Sequence, residues 1–207
     1  MAGRFISLEG GEGVGKSTQV RALAAALRGR GIEVVETREP GGSPGAEAIR
    51  ALLLGGENER WTAPTEALLF AAARADHVAR TIRPALAAGS WVLCDRFLDS
   101  SLAYQGGADG LGPDAIRSLH RVGSGGVLPD RTFVLDLELV TAVSREHARD
   151  GAALDRFGRR GLDYHAGVAR AFRGLAEAEP ERVRLIDASG EPAVVTARLV
   201  EALEDLM

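Results

Sequence analysis

A glycine-rich segment near the N-terminus carries the clearest chemical signal in the chain. Residues 10–17 read GGEGVGKS and match the pattern GxxxxGK(S/T), in which backbone N–H groups and a helix N-terminus surround a phosphate. The segment follows a short apolar run and opens a helical pattern, as this kind of site requires. Lys16 would reach the β- and γ-phosphates of ATP, and Ser17 would bind Mg²⁺. The predicted cofactor-binding residues are Gly10, Gly11, Glu12, Gly13, Val14, Gly15, Lys16, Ser17 and Thr18.

Lys16 is the only lysine among the 25 basic residues of the chain. The excess of arginine fits a bias of the coding sequence. A lysine at this one place fits the chemistry, because a compact ammonium donates in three directions where a planar guanidinium would fit badly. The position of Lys16 therefore supports a phosphate site. Because GTPases, motor ATPases and small-molecule kinases share this loop, it does not decide where the phosphate goes.

Apolar runs of strand length alternate with helical patterns along the chain. The candidate strands are 4–8, 32–36, 91–94, 132–137 and 183–186. The candidate helices are 15–28, 44–54, 65–88 with a break near Pro84, 114–122, 140–148, 163–178 and 192–206. This alternation predicts an α/β fold with a parallel sheet that helices cover on both faces. In such sheets, ligands bind at the carboxyl ends of the strands.

Acidic residues lie at the ends of two candidate strands. Asp95 follows the apolar run 91–94, and Asp136 lies within 132–137. A carboxylate at either place is suited to hold Mg²⁺ near the phosphate loop, directly or through water. Arg96, next to Asp95, is suited to neutralise a transferring phosphate. An ordinary ion pair at a strand end is the simpler alternative.

Length, composition and charge restrict the class of protein. With 207 residues, of which 45% are hydrophobic and 26% charged, the chain has enough material for one substantial core. A formal net charge of −4 does not suggest a nucleic-acid-binding surface. Cys94 is the only cysteine, which suits a reducing compartment. No apolar run has the length of a signal peptide core or a membrane span, so we expect a cytoplasmic protein without a membrane partner.

Five separated segments, taken together, resemble thymidylate kinases, and the resemblance covers nearly the whole chain. They are REPGG at 38–42, FAAARADH at 70–77, DRF at 95–97, AYQG at 103–106 and LDR at 154–156. The resemblance implies transfer of the γ-phosphate of ATP to dTMP, with Mg²⁺. It also implies a three-layer P-loop nucleoside monophosphate kinase fold, a five-stranded parallel sheet in the order 2-3-1-4-5, and a homodimer. Asp95 is preferred as the metal ligand because the DRF motif begins there.

The acceptor site is expected around one helix face. Phe70 and Arg74 are four residues apart, so they share a face on which a ring can stack on a base and a guanidinium can donate to it. In the family these positions contact thymine. The resemblance further places Glu12 at the sugar 3′-hydroxyl and Tyr104 at the 2′ position. The predicted substrate-binding residues are Glu12, Glu39, Pro40, Arg50, Phe70, Arg74, Arg96, Ser101, Tyr104 and Gln105.

Two of these positions, Ser101 and Arg50, have alternative interpretations. Ser101 stands where some relatives carry an asparagine against the base. Arg50 is placed to meet the acceptor phosphate, although a solvated surface arginine is a nearly equal alternative. His77 is expected to pack at a helix end rather than to act in acid–base chemistry, because phosphoryl transfer depends on positioning and electrostatics.

The stretch 149–161 is expected to be an exposed mobile lid within a single domain 1–207. Its arginines are Arg149, Arg156, Arg159 and Arg160. Some thymidylate kinases carry an arginine inside the phosphate loop, where this chain has Gly13, and others place it in the lid. Arg156, in the LDR segment, best matches the second group. The predicted catalytic residues are therefore Lys16, Asp95, Arg96 and Arg156.

Two other functions fit parts of the pattern. Another small-molecule or nucleotide kinase would keep the phosphate loop and the arginine-rich lid, but it would not need Phe70 with Arg74. A regulatory P-loop ATPase or GTPase should show an Asn-Lys-x-Asp segment for guanine or a large insertion that binds a partner, and the sequence has no such insertion. The only lysine lies in the phosphate loop, so the chain has no such segment.

Overall fold

Five short strands form one parallel sheet. The computed structural model describes residues 2–56, 60–150 and 156–207, and at residues 149 and 150 it describes the backbone alone. The strands are β1 (Phe5–Glu9), β2 (Val34–Arg38), β3 (Trp91–Asp95), β4 (Arg131–Asp136) and β5 (Val183–Asp187). They lie in the order β2-β3-β1-β4-β5, and every neighbouring pair is parallel. The predicted order is confirmed.

The carboxyl ends of the strands meet at one edge of the sheet. Leu8 of β1 pairs with Asp95 of β3 on one side and with Phe133 of β4 on the other. Asp95 also pairs with Arg38 at the end of β2. The loops that follow β1, β2 and β3 therefore come together at this edge, which is where parallel sheets bind their ligands.

Helices cover both faces of the sheet. They are α1 (Lys16–Arg28), α2 (Pro44–Leu54), α3 (Ala63–His77), α4 (Arg83–Ala87), α5 (Leu98–Ser101), α6 (Pro113–Ser124), α7 (Leu139–Asp150), α8 (Leu162–Ala178) and α9 (Pro192–Glu201). A short 3₁₀ turn, Glu204–Leu206, follows α9. Within the described ranges, no helix is long and apolar enough to cross a membrane.

The predicted helix 65–88 is divided into three parts. A π-helical segment, Val78–Ile82, joins α3 to α4, and Pro84 lies in the first turn of α4. Proline has no backbone N–H, and it lies just after the π-helical segment, where the regular α-helical hydrogen-bond pattern is already interrupted. The prediction missed α5 and the π-helical segment Leu102–Ala108 that follows it. Neither is long enough to show a 3.6-residue period.

Successive side chains of the strands point to opposite faces of the sheet and pack into two apolar layers. Ile6 and Leu8 of β1 pack with α1 and α9 on one face. Phe5, which points to the other face, packs with Val92 and with residues of α3 and α6. Further along the second face, α8 packs on β4 and β5 and extends this layer. The result is the three-layer arrangement that the sequence predicts.

Side-chain caps fix where the two helices that carry acceptor residues begin. Ser43 accepts a hydrogen bond from the backbone N–H of Ala46 at the start of α2. Thr62 accepts one from the backbone N–H of Thr65 at the start of α3. Each helix also has a proline in its first turn, a position that favours helix initiation. The two helices pack against each other and form one wall of the carboxyl edge.

Candidate active site

The glycine-rich loop between β1 and α1 has a backbone that only glycine adopts easily. Gly10, Gly13 and Gly15 have φ angles of 130°, 70° and 98°. Lys16 folds back over the loop, and its Nζ donates to two loop carbonyl oxygens at 3.2 and 2.6 Å. Burial and the nearby charge of Arg96 lower the pKa of Lys16 to about 8. A bound phosphate would favour the charged ammonium and counteract this effect.

Gly13 lies in close contact with α7. A β-carbon at this position would lie 1.9 Å from the carbonyl oxygen of Ala142 and 3.2 Å from the backbone nitrogen of Glu146. Both are backbone atoms of a helix, so they cannot move aside as a flexible side chain can. The loop therefore has no room for an arginine at this position.

The two residues predicted to bind Mg²⁺ lie side by side beside the loop. The Ser17 hydroxyl donates to Oδ2 of Asp95, the last residue of β3. A hydroxyl and a carboxylate next to nucleotide phosphates fit Mg²⁺, which completes its shell with phosphate oxygens and water. The alternative carboxylate, Asp136, forms an ion pair with Arg173 at 2.9 Å and lines a separate cavity of about 180 Å³.

Arg96 connects the phosphate loop to the opposite wall. Its backbone has a φ of 70°, which is unusual for a residue with a β-carbon. Nη1 donates to the carbonyl oxygen of Gly10 at 3.0 Å, and Nη2 donates to Oε1 of Glu12 at 2.5 Å. Nη2 also donates to the hydroxyl of Tyr104 at 3.3 Å, and the guanidinium carbon lies 5.1 Å from the centre of the Tyr104 ring. Arg96 thus holds both residues that are expected to contact the acceptor sugar.

Glu12 remains ionised among cations. Burial alone would raise the pKa of its carboxyl, but Arg96 and Lys16 outweigh this effect and lower the pKa to about 2. The hydroxyl of Tyr104 donates to the same carboxylate at 3.2 Å, and burial raises the pKa of this phenol well above its usual value. Glu12 is therefore an acceptor that can receive a hydrogen bond from a sugar hydroxyl.

A buried carboxylate that the sequence analysis missed supports the turn that carries Arg96. Glu9 accepts hydrogen bonds from the backbone N–H of Phe97 at 2.7 Å and from the hydroxyl of Ser100 at 2.5 Å. Ser100 in turn accepts one from Nη1 of Arg96 at 3.1 Å. Burial and the neighbouring carboxylate of Asp99 raise the pKa of Glu9 to about 7. Only its place at the end of β1, next to the glycine loop, could have drawn attention to it.

A cavity of about 440 Å³ joins the phosphate loop to the predicted acceptor residues. Lys16, Ser17, Thr18 and Asp95 line its phosphate end. All predicted acceptor residues line it too: Glu12, Glu39, Pro40, Arg50, Phe70, Arg74, Arg96, Ser101, Tyr104 and Gln105. The structure therefore brings the two predicted sets together in one space. Gly10, Gly11 and Val14 line the smaller cavity behind the loop instead.

Arg74 is held rigidly on the cavity wall. Its Nε donates to Oε2 of Glu39 at 2.8 Å. Its Nη2 donates to the carbonyl oxygen of Phe97 at 3.2 Å and to the hydroxyl of Ser101 at 2.9 Å. Nη1 has no acceptor among the described residues, which leaves it available to a ligand. Phe70, one turn earlier on α3, lies in the same wall and is only partly buried.

Three other predicted acceptor residues have partners within the protein. Arg50 donates through Nη1 to the carbonyl oxygen of Pro40 at 2.6 Å. Gln105 donates through Nε2 to Oε1 of Glu66 at 2.8 Å. Glu39 is occupied by Arg74 and His77, so its carboxylate orients other side chains besides lining the cavity.

The expectation that the lid is exposed is wrong for part of the segment that the structure describes. Residues 151–155, including the first two of the LDR segment, lie outside the described residues. Arg156, Phe157 and Gly158 are buried rather than exposed. Arg156 donates through Nη2 to Oε2 of Glu66 at 2.5 Å, so a buried carboxylate neutralises its charge. This ion pair and the packing of Phe157 hold the segment down.

The ring of Phe157 closes the acceptor end of the cavity. Its centre lies 5.8 Å from that of Phe70 and 6.1 Å from that of Tyr104. Arg160, further along, donates to Asp109 at 2.6 Å. Arg159 is exposed and donates to the carbonyl oxygen of Gly56 at 3.2 Å. The side chain of the fourth lid arginine, at position 149, lies outside the described part.

Several lining residues were not predicted. They are Arg21, Arg38, Leu54, Phe97, Ser100 and Phe157. Arg38 and Phe97 belong to segments that carry the family resemblance, so their motifs were a signal. Leu54 and Phe157 come from the end of α2 and from the lid. No local pattern separates such apolar residues from ordinary core residues.

Comparison with known proteins assigns the chain to a family. The family model described as "Thymidylate kinase" matches residues 8–199. A thymidylate kinase from Rhizorhabdus wittichii is 66% identical over 207 residues, which cover 100% of both chains. One from Caulobacter vibrioides is 49% identical over 201 residues, 97% of this chain and 96% of the relative. The crystal structure of thymidylate kinase from Ehrlichia chaffeensis aligns with a TM-score of 0.79 and 30% identity over 99% of this chain and 100% of that one. On the sequence, the fold and the site together, this chain belongs to the thymidylate kinase family.

Proposed function

We propose that this chain transfers the γ-phosphate of ATP to dTMP, giving dTDP and ADP. The observation that carries the substrate is the position of Arg74 on the wall of a cavity whose other end is the phosphate loop, with no acceptor for its Nη1 among the described residues. A guanidinium donor fits the O4 carbonyl of thymine and is mismatched to the amino group of cytosine. Phe70, on the same wall, offers a ring for stacking.

On the donor side, the loop and Lys16 hold the β- and γ-phosphates. Ser17 and Asp95 would hold Mg²⁺, which would supply positive charge beside the phosphates. Their direct hydrogen bond supports this role, because it places two hard oxygen ligands together beside the loop. Lys16 then exchanges its carbonyl partners for phosphate oxygens.

On the acceptor side, Glu12 accepts from the 3′-hydroxyl and the ring of Tyr104 crowds the 2′ position. Arg50, beside Pro40, holds the acceptor phosphate. Ser101 and Gln105 complete the base end of the pocket, where they lie among the lining residues. The Tyr104 ring is buried, with 4% exposure, so its position is well defined. A ring must be fixed in this way to exclude a 2′-hydroxyl by steric clash.

In the transfer step, an oxygen of the dTMP phosphate attacks the γ-phosphorus and the bond to ADP breaks. Little acid–base chemistry is needed, so positioning and positive charge dominate. Arg96 already lies between the loop and the sugar residues. The second cation is Arg156, which has to leave Glu66 to reach the phosphates. The ion pair therefore represents a resting arrangement of the lid.

The enzyme acts as a homodimer. Leu52 of α2, Leu68 of α3 and Val122 of α6 are 42%, 56% and 90% exposed, and α3 packs against both other helices. Apolar side chains on adjacent helices favour a protein partner. Light scattering after gel filtration tests this. Leu68→Arg should give a monomer, and a wild-type monomer at micromolar concentration would contradict the proposal.

The protein works in the cytoplasm and binds neither nucleic acid nor membranes. The single cysteine suits a reducing compartment, and the net charge of −4 disfavours phosphate backbones.

A coupled assay of ADP release tests the function. The protein is offered ATP with dTMP, dUMP, dCMP, dGMP or shikimate, with and without Mg²⁺. We expect dTMP to give the highest kcat/KM, followed by dUMP, which shares the O4 carbonyl. A preference for any other acceptor would overturn the proposal.

A further inference from the structure

Four polar side chains form a largely buried chain of contacts that ends at the cavity wall. We name it the Arg74 relay, and its members are Thr37, His77, Glu39 and Arg74. Thr37 Oγ1 lies 2.7 Å from Nε2 of His77, and Nδ1 of His77 lies 2.9 Å from Oε1 of Glu39. Oε2 of Glu39 then accepts from Nε of Arg74 at 2.8 Å. The relay thus runs from strand β2 to the guanidinium that faces the acceptor base.

The direction of the central hydrogen bond follows from its partners. A carboxylate oxygen only accepts, so Nδ1 of His77 carries a proton and donates it to Glu39 in either charge state of the ring. Nε2 is left to exchange a hydrogen bond with the hydroxyl of Thr37. Each oxygen of the Glu39 carboxylate therefore has one donor, His77 on one side and Arg74 on the other.

The relay is enclosed and its geometry is fixed. His77 is 0% exposed, Arg74 3% and Glu39 5%. The loop after β2 packs closely against the histidine ring. A β-carbon at Gly42 would lie only 2.5 Å from Nε2 of His77, so this position has no room for a side chain. The His77 ring is closely confined on this side, and the Glu39 carboxylate lines the cavity with little exposure. Losing the donor at Nδ1 would leave one oxygen of Glu39 without a partner.

An unpartnered Glu39 oxygen would be expected to turn toward the nearest remaining donors, which belong to Arg74. The carboxylate would then compete for Nη1, the only amino group of Arg74 without an acceptor in the described part of the chain. That group is the one proposed to meet the base. His77 itself is not among the residues that line the cavity, so it can affect the base only through Glu39 and Arg74.

We propose that His77 is a positioning residue for recognition of the acceptor base, and that it acts by holding Glu39 so that Nη1 of Arg74 stays directed at the base carbonyl. This rests on the proposed function and deepens it. It replaces the expectation that His77 only packs at the end of α3.

Two polar substitutions separate this role from packing. In His77→Asn the side-chain NH₂ lies near the place of Nδ1 and can still donate to Glu39. In His77→Gln the amide reaches toward Thr37 instead and leaves Glu39 without its donor. Both remove the ring, so a purely structural role would affect them alike. His120→Gln is the matched control, because His120 is buried against Phe97 and its one hydrogen-bond partner among the described residues is the carbonyl oxygen of Val127.

The measurement is kcat/KM for dTMP and for dCMP, with saturating ATP, together with the thermal midpoint of each variant. We expect His77→Gln to lower the ratio of dTMP to dCMP at least ~10-fold, mainly through KM for dTMP, because a polar site discriminates through its paired groups. His77→Asn and His120→Gln should keep the ratio within about threefold of wild type on the same grounds.

If His77→Gln leaves the ratio unchanged, or if both His77 variants lower it equally, the inference is overturned. If His77→Gln does not fold, His77→Asn still decides, because loss of its selectivity contradicts the claim that a donor at this place suffices. Failure of the wild-type protein to use dTMP would instead overturn the proposed function, so the two failures are distinguishable.

Discussion

Arg156 and Glu66 form an ion pair at 2.5 Å in which the two side chains are 0% and 2% exposed. Arg156, the lid arginine proposed for catalysis, is therefore bound to Glu66 of α3 in this structure. Arg156→Ala should lower kcat at least ~100-fold and change KM for dTMP little, because the guanidinium stabilises charge that develops only during transfer. Steady-state kinetics with both substrates measures this.

Arg159→Ala and Arg160→Ala are the internal controls for Arg156. Arg159 is exposed, and Arg160 is bound mainly to Asp109. If all three variants behave alike, the lid supplies only general positive charge. If Arg156→Ala raises KM for dTMP and leaves kcat intact, the ion pair with Glu66 serves the pocket and the catalytic assignment is wrong.

Lys16→Ala should abolish phosphoryl transfer, with kcat at least ~100-fold lower, and leave the fold intact. The side chain contacts loop carbonyls that a phosphate would displace, so packing does not depend on it. Circular dichroism and kinetics together measure this. Arg28→Ala, on the exposed end of the same helix, should retain wild-type activity. Retention of most activity in Lys16→Ala would contradict the phosphate site.

The pKa of about 8 for Lys16 gives a pH dependence. Lys16 is charged below this pKa and loses its proton above it, so kcat/KM for ATP should fall as pH rises through about 8. Bound phosphates favour the ammonium, so kcat should fall only at higher pH. Lys16→Arg stays charged throughout, and its residual kcat/KM should lack this fall. Identical profiles for the variant and the wild type would assign the titration to another group.

Phe70→Ala should raise KM for dTMP and leave KM for ATP nearly unchanged, since stacking on one base is worth about 1 to 3 kcal/mol. Phe133→Leu is a control in the sheet core, away from the cavity. It should lower the thermal midpoint without changing KM for dTMP. A Phe70→Ala variant that is only less stable, with normal kinetics in the cold, would place Phe70 in the core.

Replacing the Tyr104 ring should relax the choice of sugar. Tyr104→Ala should improve the use of 5-methyluridine monophosphate relative to dTMP, because a clash with the 2′-hydroxyl is relieved. Tyr104→Phe keeps the ring but loses the hydrogen bond to Glu12, so it should keep the preference for deoxyribose. The comparison is the ratio of kcat/KM for the two acceptors. An unchanged ratio in Tyr104→Ala would refute the role.

The phosphate loop was predictable from its local pattern, whereas the strand order and the acceptor wall followed from the resemblance to thymidylate kinases. Phe70 and Arg74 share a helix face, and the structure places both on the cavity. The support of Arg96 by Glu9 was not predictable, since Glu9 bonds residues 88 and 91 positions away, through a turn of unusual φ. Likewise, nothing near Arg156 in sequence indicates that its partner is Glu66 on α3.

The close approach of Gly13 to Ala142 limits how this enzyme can change during evolution. Relatives that carry the catalytic arginine in the phosphate loop and relatives that carry it in the lid look one substitution apart. In this chain, Gly13→Arg would drive a side chain into the backbone of α7 from a φ of 70°. Moving between the two designs therefore requires α7 to shift first, and no single mutational step connects them.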